Sequence, residues 1–168
     1  MACSPVTAAL SASICRLAAS IFCWLSSEAF PGKVGFWRGY DEGLSRLIEA
    51  GSDLFLMPSR FEPCGLNQMY SLKYGTIPLV RSTGGLADTV ERLEDGRGTG
   101  FVFYEHTSVA LEDTLAHALE VWRDPVTWKG MQLRGMAKDL ALYLGNMRSA
   151  DGSVKPNVDK RIAAARKG

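Results

Sequence analysis

The sequence predicts an α/β fold, a partial doubly wound parallel sheet with crossover helices. Three observations carry that expectation. Short apolar runs closed by Pro or Gly alternate with stretches whose apolar residues recur at helical spacing, an alternation that joins parallel strands through helices. The helical stretches end at punctuating residues, Gly51, Gly75 and the Asp124-Pro125 pair. At 168 residues the chain holds one domain with a real core and falls short of two of ordinary size.

In chain order, "KVGFWRGY" (33–40) reads as a strand, and "DEGLSRLIEAG" (41–51) as a short helix with Leu44, Leu47 and Ile48 on one stripe. "DLFLMPS" (53–59) is an apolar run closed by proline, hence a buried strand. Gly65 to Tyr74 has Leu66, Met69, Tyr70 and Tyr74 at helical spacing; "TIPLVRS" (76–82) is a third strand and "GGLADTVER" (84–92) a short helix. "GTGFVFY" (98–104) is the fourth strand. Ser108 to Trp122 is the clearest helix, with Leu111, Leu115, Leu119 and Trp122 on one stripe, and Pro125 suits the first turn of a further helix to about Leu140. Trp122, Trp128, Phe101 and Phe103 read as core, His106 and His117 as surface or packing residues, and Lys73 as facing either solvent or substrate. Four strands are few for a doubly wound domain, so the chain reads as half of one.

Charge and cysteine usage narrow the function classes. Lys plus Arg number 19 against 18 acids, so no global basic field exists for nucleic acid or an anionic membrane, and anion binding has to be local. Cys3, Cys15, Cys23 and Cys64 show neither a C-x-x-C nor a zinc spacing, which favours reduced thiols. Residues 1–30 form a leader or unrelated N-terminal segment, rich in Ala and Ser with no acid before Glu28. Two readings of it stay open: a targeting leader, or incidental sequence ahead of an artificial start. A plastid location follows from the first, a cytoplasmic one otherwise. Its apolar stretch Leu17 to Leu25 is too short to span a bilayer. Residues 31–140 form the domain, and 141–168 a basic, loosely ordered tail.

The chemistry concentrates at two strand-to-helix junctions, where ligands of open α/β sheets bind. In "PSRFEPCGLNQ" (58–68), Arg60, Glu62 and Cys64 precede a helix whose unpaired N–H groups begin near Gly65 and favour an anion. Glu62 either caps that helix, a contribution of about 1 kcal/mol, or accepts hydrogen bonds from ligand hydroxyls. In "STGGLAD" (82–88), Ser82, Thr83 and the Gly84-Gly85 pair open the next helix, and glycine lets amides approach a ligand closely.

The run "GYDEGLSRLIEAGSDLFLMPSRFEPCGLNQMYSLKYGTIPLVRSTGGLADTV" (39–90) resembles the C-terminal domain of glycogen and starch synthases, ADP-glucose-using retaining glucosyltransferases of GT-B architecture. The likeness extends more loosely over residues 31 to 139. It implies a partial Rossmann-like sheet, most of the C-terminal half of a GT-B C-terminal domain. It also implies transfer of glucose from ADP-glucose to the non-reducing end of an α-1,4-glucan, with no cofactor. By position, the resemblance places Glu62 against the transferred glucose, Cys64 and Gly65 in the sugar pocket, and the Gly65 and Leu66 amides toward the diphosphate. Tyr40 would stack on adenine, with Glu42 following, and Thr83, Gly84 and Gly85 would lie on the phosphate side. Departures accompany the match. Tyr70 stands where many related GT-B enzymes have a ribose-binding Glu, and the family's Arg and Lys clamp and its Lys-x-Gly-Gly loop have no counterpart. The expectation is therefore a fragment inactive alone, or alternatively a non-catalytic remnant that docks to an intact synthase or to a glucan.

Overall fold

A computed structural model describes residues 25, 26 and 28–139. The proposed leader, apart from its last few residues, and the proposed tail lie outside them. The chain divides into two units, Met1–Asp41 and Glu42–Gly168.

In the first unit the amides of Lys33 and Val34 both donate to the Phe30 carbonyl, each at 3.0 Å. Residues 33–40 are exposed throughout and pair with no strand among the described residues, so the strand expected there is corrected to irregular backbone. Its aromatic and β-branched residues suggested a strand, but such preferences express packing on a sheet and do nothing without one.

The second unit contains α1 (Glu42–Gly51), β1 (Leu54–Met57), α2 (Asn67–Tyr74), β2 (Ile77–Arg81), α3 (Gly84–Thr89), β3 (Phe101–Phe103), α4 (Ser108–Trp122) and α5 (Pro125–Ala137). The sheet is parallel and three-stranded, in the order β1-β2-β3. Its register runs from Leu54 opposite Ile77 to Met57 opposite Val80, and from Leu79 opposite Phe101 to Arg81 opposite Phe103. Residues 77–80 of the central strand are all buried, as expected where helices cover both faces.

Alternation of side chains along the strands divides the core in two. Ile77, Leu79, Phe101 and Phe103 point to one face, where Ala118 of α4 and Trp128 and Met131 of α5 cover them. Val80 points to the other, against Leu86 of α3 and Val90, with Met57 and Val102 at the margin. Those two faces leave the carboxyl ends of β1 and β2 to the loops that precede α2 and α3.

Helix faces depart from the apolar stripes in three places. On α2 the buried residues are Gln68, Met69, Ser71 and Leu72, while Leu66, Tyr70 and Tyr74 are exposed. On α1 Glu49 is buried and Leu47 and Ile48 are exposed, because this helix packs mainly against α2. On α4 the contact runs through Leu111, Leu115 and Ala118, and Leu119 and Trp122 are exposed, so Trp122 is corrected from core to surface. Small Ala118 permits close approach at the point where the larger side chains have rotated off the contact line. His117 packs edge-on against Phe101, with ring centroids 5.7 Å apart.

Two helices, α4 and α5, have side-chain caps at their first turns. Thr107 Oγ1 accepts from the Ala110 amide, and Asp124 accepts from Val126, with Pro125 at the first helical position of α5. Thr127 Oγ1 and the Val126 amide hold the Asp124 carboxyl below its ordinary range. Lys73 is exposed, and its Nζ donates to the carbonyls of Met136 (3.0 Å) and Lys138 (2.6 Å), so it closes the end of α5.

Candidate functional site

The loop after β1 is built around Glu62. Its Oε1 accepts from the Gly65 amide at 3.0 Å. Gly65 has φ +62°, a left-handed conformation, and a side chain there would collide with the amide of Gln68. Leu66 then opens α2, its carbonyl accepting from the amides of Met69 (2.9 Å) and Tyr70 (3.0 Å). Cys64, half-buried, lies between Pro63 and Gly65 in the chain and is a thiol.

The loop after β2 closes on the first. Thr83 is extended, and its carbonyl accepts from the Leu86 amide at 3.1 Å. The Gly85 amide donates to the Glu62 carbonyl at 3.0 Å. Gly84 adopts φ +48°, and a Cβ at that position would run into the Glu62 carbonyl. Gly84 is therefore required by contact between the two loops, whatever else the amides of this turn do.

Seven of the eight predicted site residues, Glu62, Cys64, Gly65, Leu66, Thr83, Gly84 and Gly85, thus belong to two adjoining strand-to-helix junctions. The eighth, Tyr40, lies in the first unit and is 93% exposed. Glu62 behaves partly as a loop-closing acceptor, and the Gly65 and Gly85 amides both face it. Further amides at this junction come from the first turn of α2, whose N–H groups lack intrahelical acceptors. Tyr70, in the place of the absent ribose-binding acid, lies under the Arg46 guanidinium, 5.8 Å from the ring centroid. Among the described residues no group of three His, Cys, Asp or Glu side chains is placed to hold a metal ion.

Three residues supporting this region escaped the sequence reading. Arg81 ends β2 and donates through Nη1 to the carbonyls of Arg60 (2.6 Å) and Ser59 (3.3 Å), tying the first loop to the central strand. Gln68, fully buried, donates through Nε2 to the Gly65 carbonyl at 2.9 Å and to Thr89 Oγ1 at 3.0 Å. Thr89 in turn donates to the Gly85 carbonyl at 2.6 Å. No motif signals them, since each lies inside a predicted strand or helix.

A family model described as "Glycosyl transferases group 1" matches residues 22–129, more than half of the chain. The chain belongs to this family of glycosyl transferases. Among its glycosyl transferase relatives, the glycogen synthase of Anaeromyxobacter dehalogenans (strain 2CP-C) is 62% identical over 115 residues, covering 68% of this chain and 24% of that protein. The glycogen synthase of Hydrogenovibrio crunogenus is 52% identical over 120 residues, again 68% of this chain and 24% of that one. This glycosyl transferase chain therefore spans about a quarter of the length of the curated relatives it matches.

Solved structures agree. The catalytic domain of starch synthase IV from Arabidopsis thaliana, bound to ADP and acarbose, superposes with a TM-score of 0.59 at 36% identity, over 64% of this chain and 23% of that one. Sucrose-phosphate synthase from Thermosynechococcus elongatus gives 0.57 at 19% identity over 89% of this chain and 33% of that one, a likeness of fold alone. Both neighbours are GT-B glycosyltransferases, so the α/β class with a parallel sheet and the resemblance to glycogen and starch synthases hold.

Proposed function

We propose that this chain carries part of the donor half-site of a glycogen or starch synthase-type glucosyltransferase, which moves glucose from ADP-glucose to the non-reducing end of an α-1,4-glucan. The observation that carries this reading is the meeting of the two junctions at Glu62, whose carboxylate accepts from the Gly65 amide while its main chain seats the Gly84-Gly85 turn. The relative bound to ADP and acarbose supports a nucleotide diphosphate and a glucan analogue as ligands of this architecture.

In this reading Glu62 holds glucose hydroxyls and opposes the positive charge that develops at the anomeric carbon. Cys64 and Gly65 line the sugar, and amides from Leu66 onward, with Thr83 and Gly84, face the departing diphosphate. Preoriented dipoles at that point need no reorganisation during the reaction.

The chain alone does not transfer glucose. Arg81 Nη1 donates to the Ser59 and Arg60 carbonyls, so this cation is held against the first loop and is not aimed at a diphosphate. Losing charge stabilisation of several kcal/mol costs orders of magnitude in rate. Purified chain incubated with labelled ADP-glucose and glycogen primer is expected to incorporate nothing, and calorimetry is expected to show weak ADP-glucose binding that Glu62→Ala reduces. Steady incorporation abolished by Glu62→Ala would overturn the inactivity, and absence of any binding heat would overturn the half-site.

A further inference from the structure

We propose that Gln68 and Thr89 are positioning residues that close a hydrogen-bond circuit around Glu62 and make the two junctions a single unit. The inference rests on the donor-site reading only for its use, since the circuit itself is a feature of the fold. The circuit starts at Glu62 Oε1, which accepts from the Gly65 amide at 3.0 Å. The Gly65 carbonyl accepts from Gln68 Nε2 at 2.9 Å, and the same nitrogen donates to Thr89 Oγ1 at 3.0 Å. Thr89 Oγ1 donates to the Gly85 carbonyl at 2.6 Å, and the Gly85 amide returns to the Glu62 carbonyl at 3.0 Å. Side-chain carboxylate and main-chain carbonyl of one residue are thereby joined through both glycine loops.

The amide orientation of Gln68 follows from its partners. Nε2 also lies 3.3 Å from the Cys64 carbonyl, so turning the amide over would set oxygen against two carbonyl oxygens. Oε1 is buried without a partner among the described residues, a costly arrangement that a purely packing role for this side chain would not retain. The Gln68 amide also lies against the Cα of Gly65, where it excludes any side chain and holds the left-handed turn. Thr89 contributes a hydroxyl that accepts from one loop's support and donates to the other loop. A ligand that moves either glycine amide has to move both.

Amide hydrogen exchange by NMR on the whole chain tests this with Thr89→Val, Thr89→Ser and Gln68→Met. Thr89→Val is expected to speed exchange at Gly65, on the opposite junction, by about tenfold, with Leu79 and Val80 unchanged. Thr89→Ser, which keeps the hydroxyl, is expected to behave as wild type. Unaltered Gly65 exchange in Thr89→Val, or equal acceleration in Thr89→Ser, would refute the circuit, and this pair decides even where Gln68→Met does not fold. Titration with ADP-glucose separates the site from the circuit. Gly65 and Gly85 resonances are expected to shift together in wild type, with about tenfold weaker apparent affinity in Thr89→Val. No wild-type shift would remove the donor-site reading while the exchange data still judge the circuit.

Discussion

Glu49 shows how single residues here depart from their sequence appearance. It sits on α1 at 3% exposure, and its carbonyl, together with that of Ser52, accepts from Thr76 Oγ1. Burial pushes its carboxyl pKa up, and the nearby Arg46 charge pulls it part of the way back. A carboxyl whose folded pKa is raised favours the folded state most when protonated, and that advantage is lost as pH rises through the folded value. Glu49→Gln is therefore expected to raise the melting temperature at pH 7, with the gain shrinking to nothing below the ordinary carboxylate range, as thermal melts across pH will show. Equal gains at all pH would mean that the carboxyl's ionisation is irrelevant. Glu62 and the glycines stand out in the sequence because an acid and glycines just before a helix are chemically pointed. Gln68 and Thr89 do not, because nothing in a helical stretch distinguishes a buried polar side chain from a solvated one until its acceptors are known.

At the scale of elements, all but one of the expected strands and helices formed, with ends shifted by a few residues. The exception, residues 33–40, lacked a partner, and strand character is a property of pairs. Pro78 is the opposite case, a proline tolerated in the central strand. The Ile77 amide donates to Asp53 on the β1 side, so position 78 turns toward β3, where pairing begins only at Leu79 opposite Phe101. The missing N–H therefore interrupts no ladder bond. Helix α4 depends on its first turn, where Thr107 caps the Ala110 amide at 3.2 Å. Thr107→Ala is expected to cost about 1 kcal/mol, read as a lower urea midpoint at unchanged slope. No change in midpoint would show that the helix is held by its packing alone.

For the molecule as a whole, Phe101 is the side chain through which sheet and helices meet, with His117 of α4 edge-on and the Trp128 ring of α5 centred 6.2 Å away. Phe101→Ala is expected to cost about 3–5 kcal/mol, a large share of the roughly 5–15 kcal/mol that stabilises an ordinary domain. Denaturant unfolding measures it, and a loss below 1 kcal/mol would place the core elsewhere. By itself the sequence determined the α/β class, the order of the elements in the second unit and the family, and it singled out the two strand-to-helix loops proposed as the site. Local spacing and turn residues suffice for those, because they act within a few positions of the chain. Only the tertiary structure decided which face of each helix is buried, that Gly84 is needed against Glu62, and that Gln68 and Thr89 join the two loops. Those facts depend on groups distant in sequence meeting at hydrogen-bond length, and no local pattern contains that information.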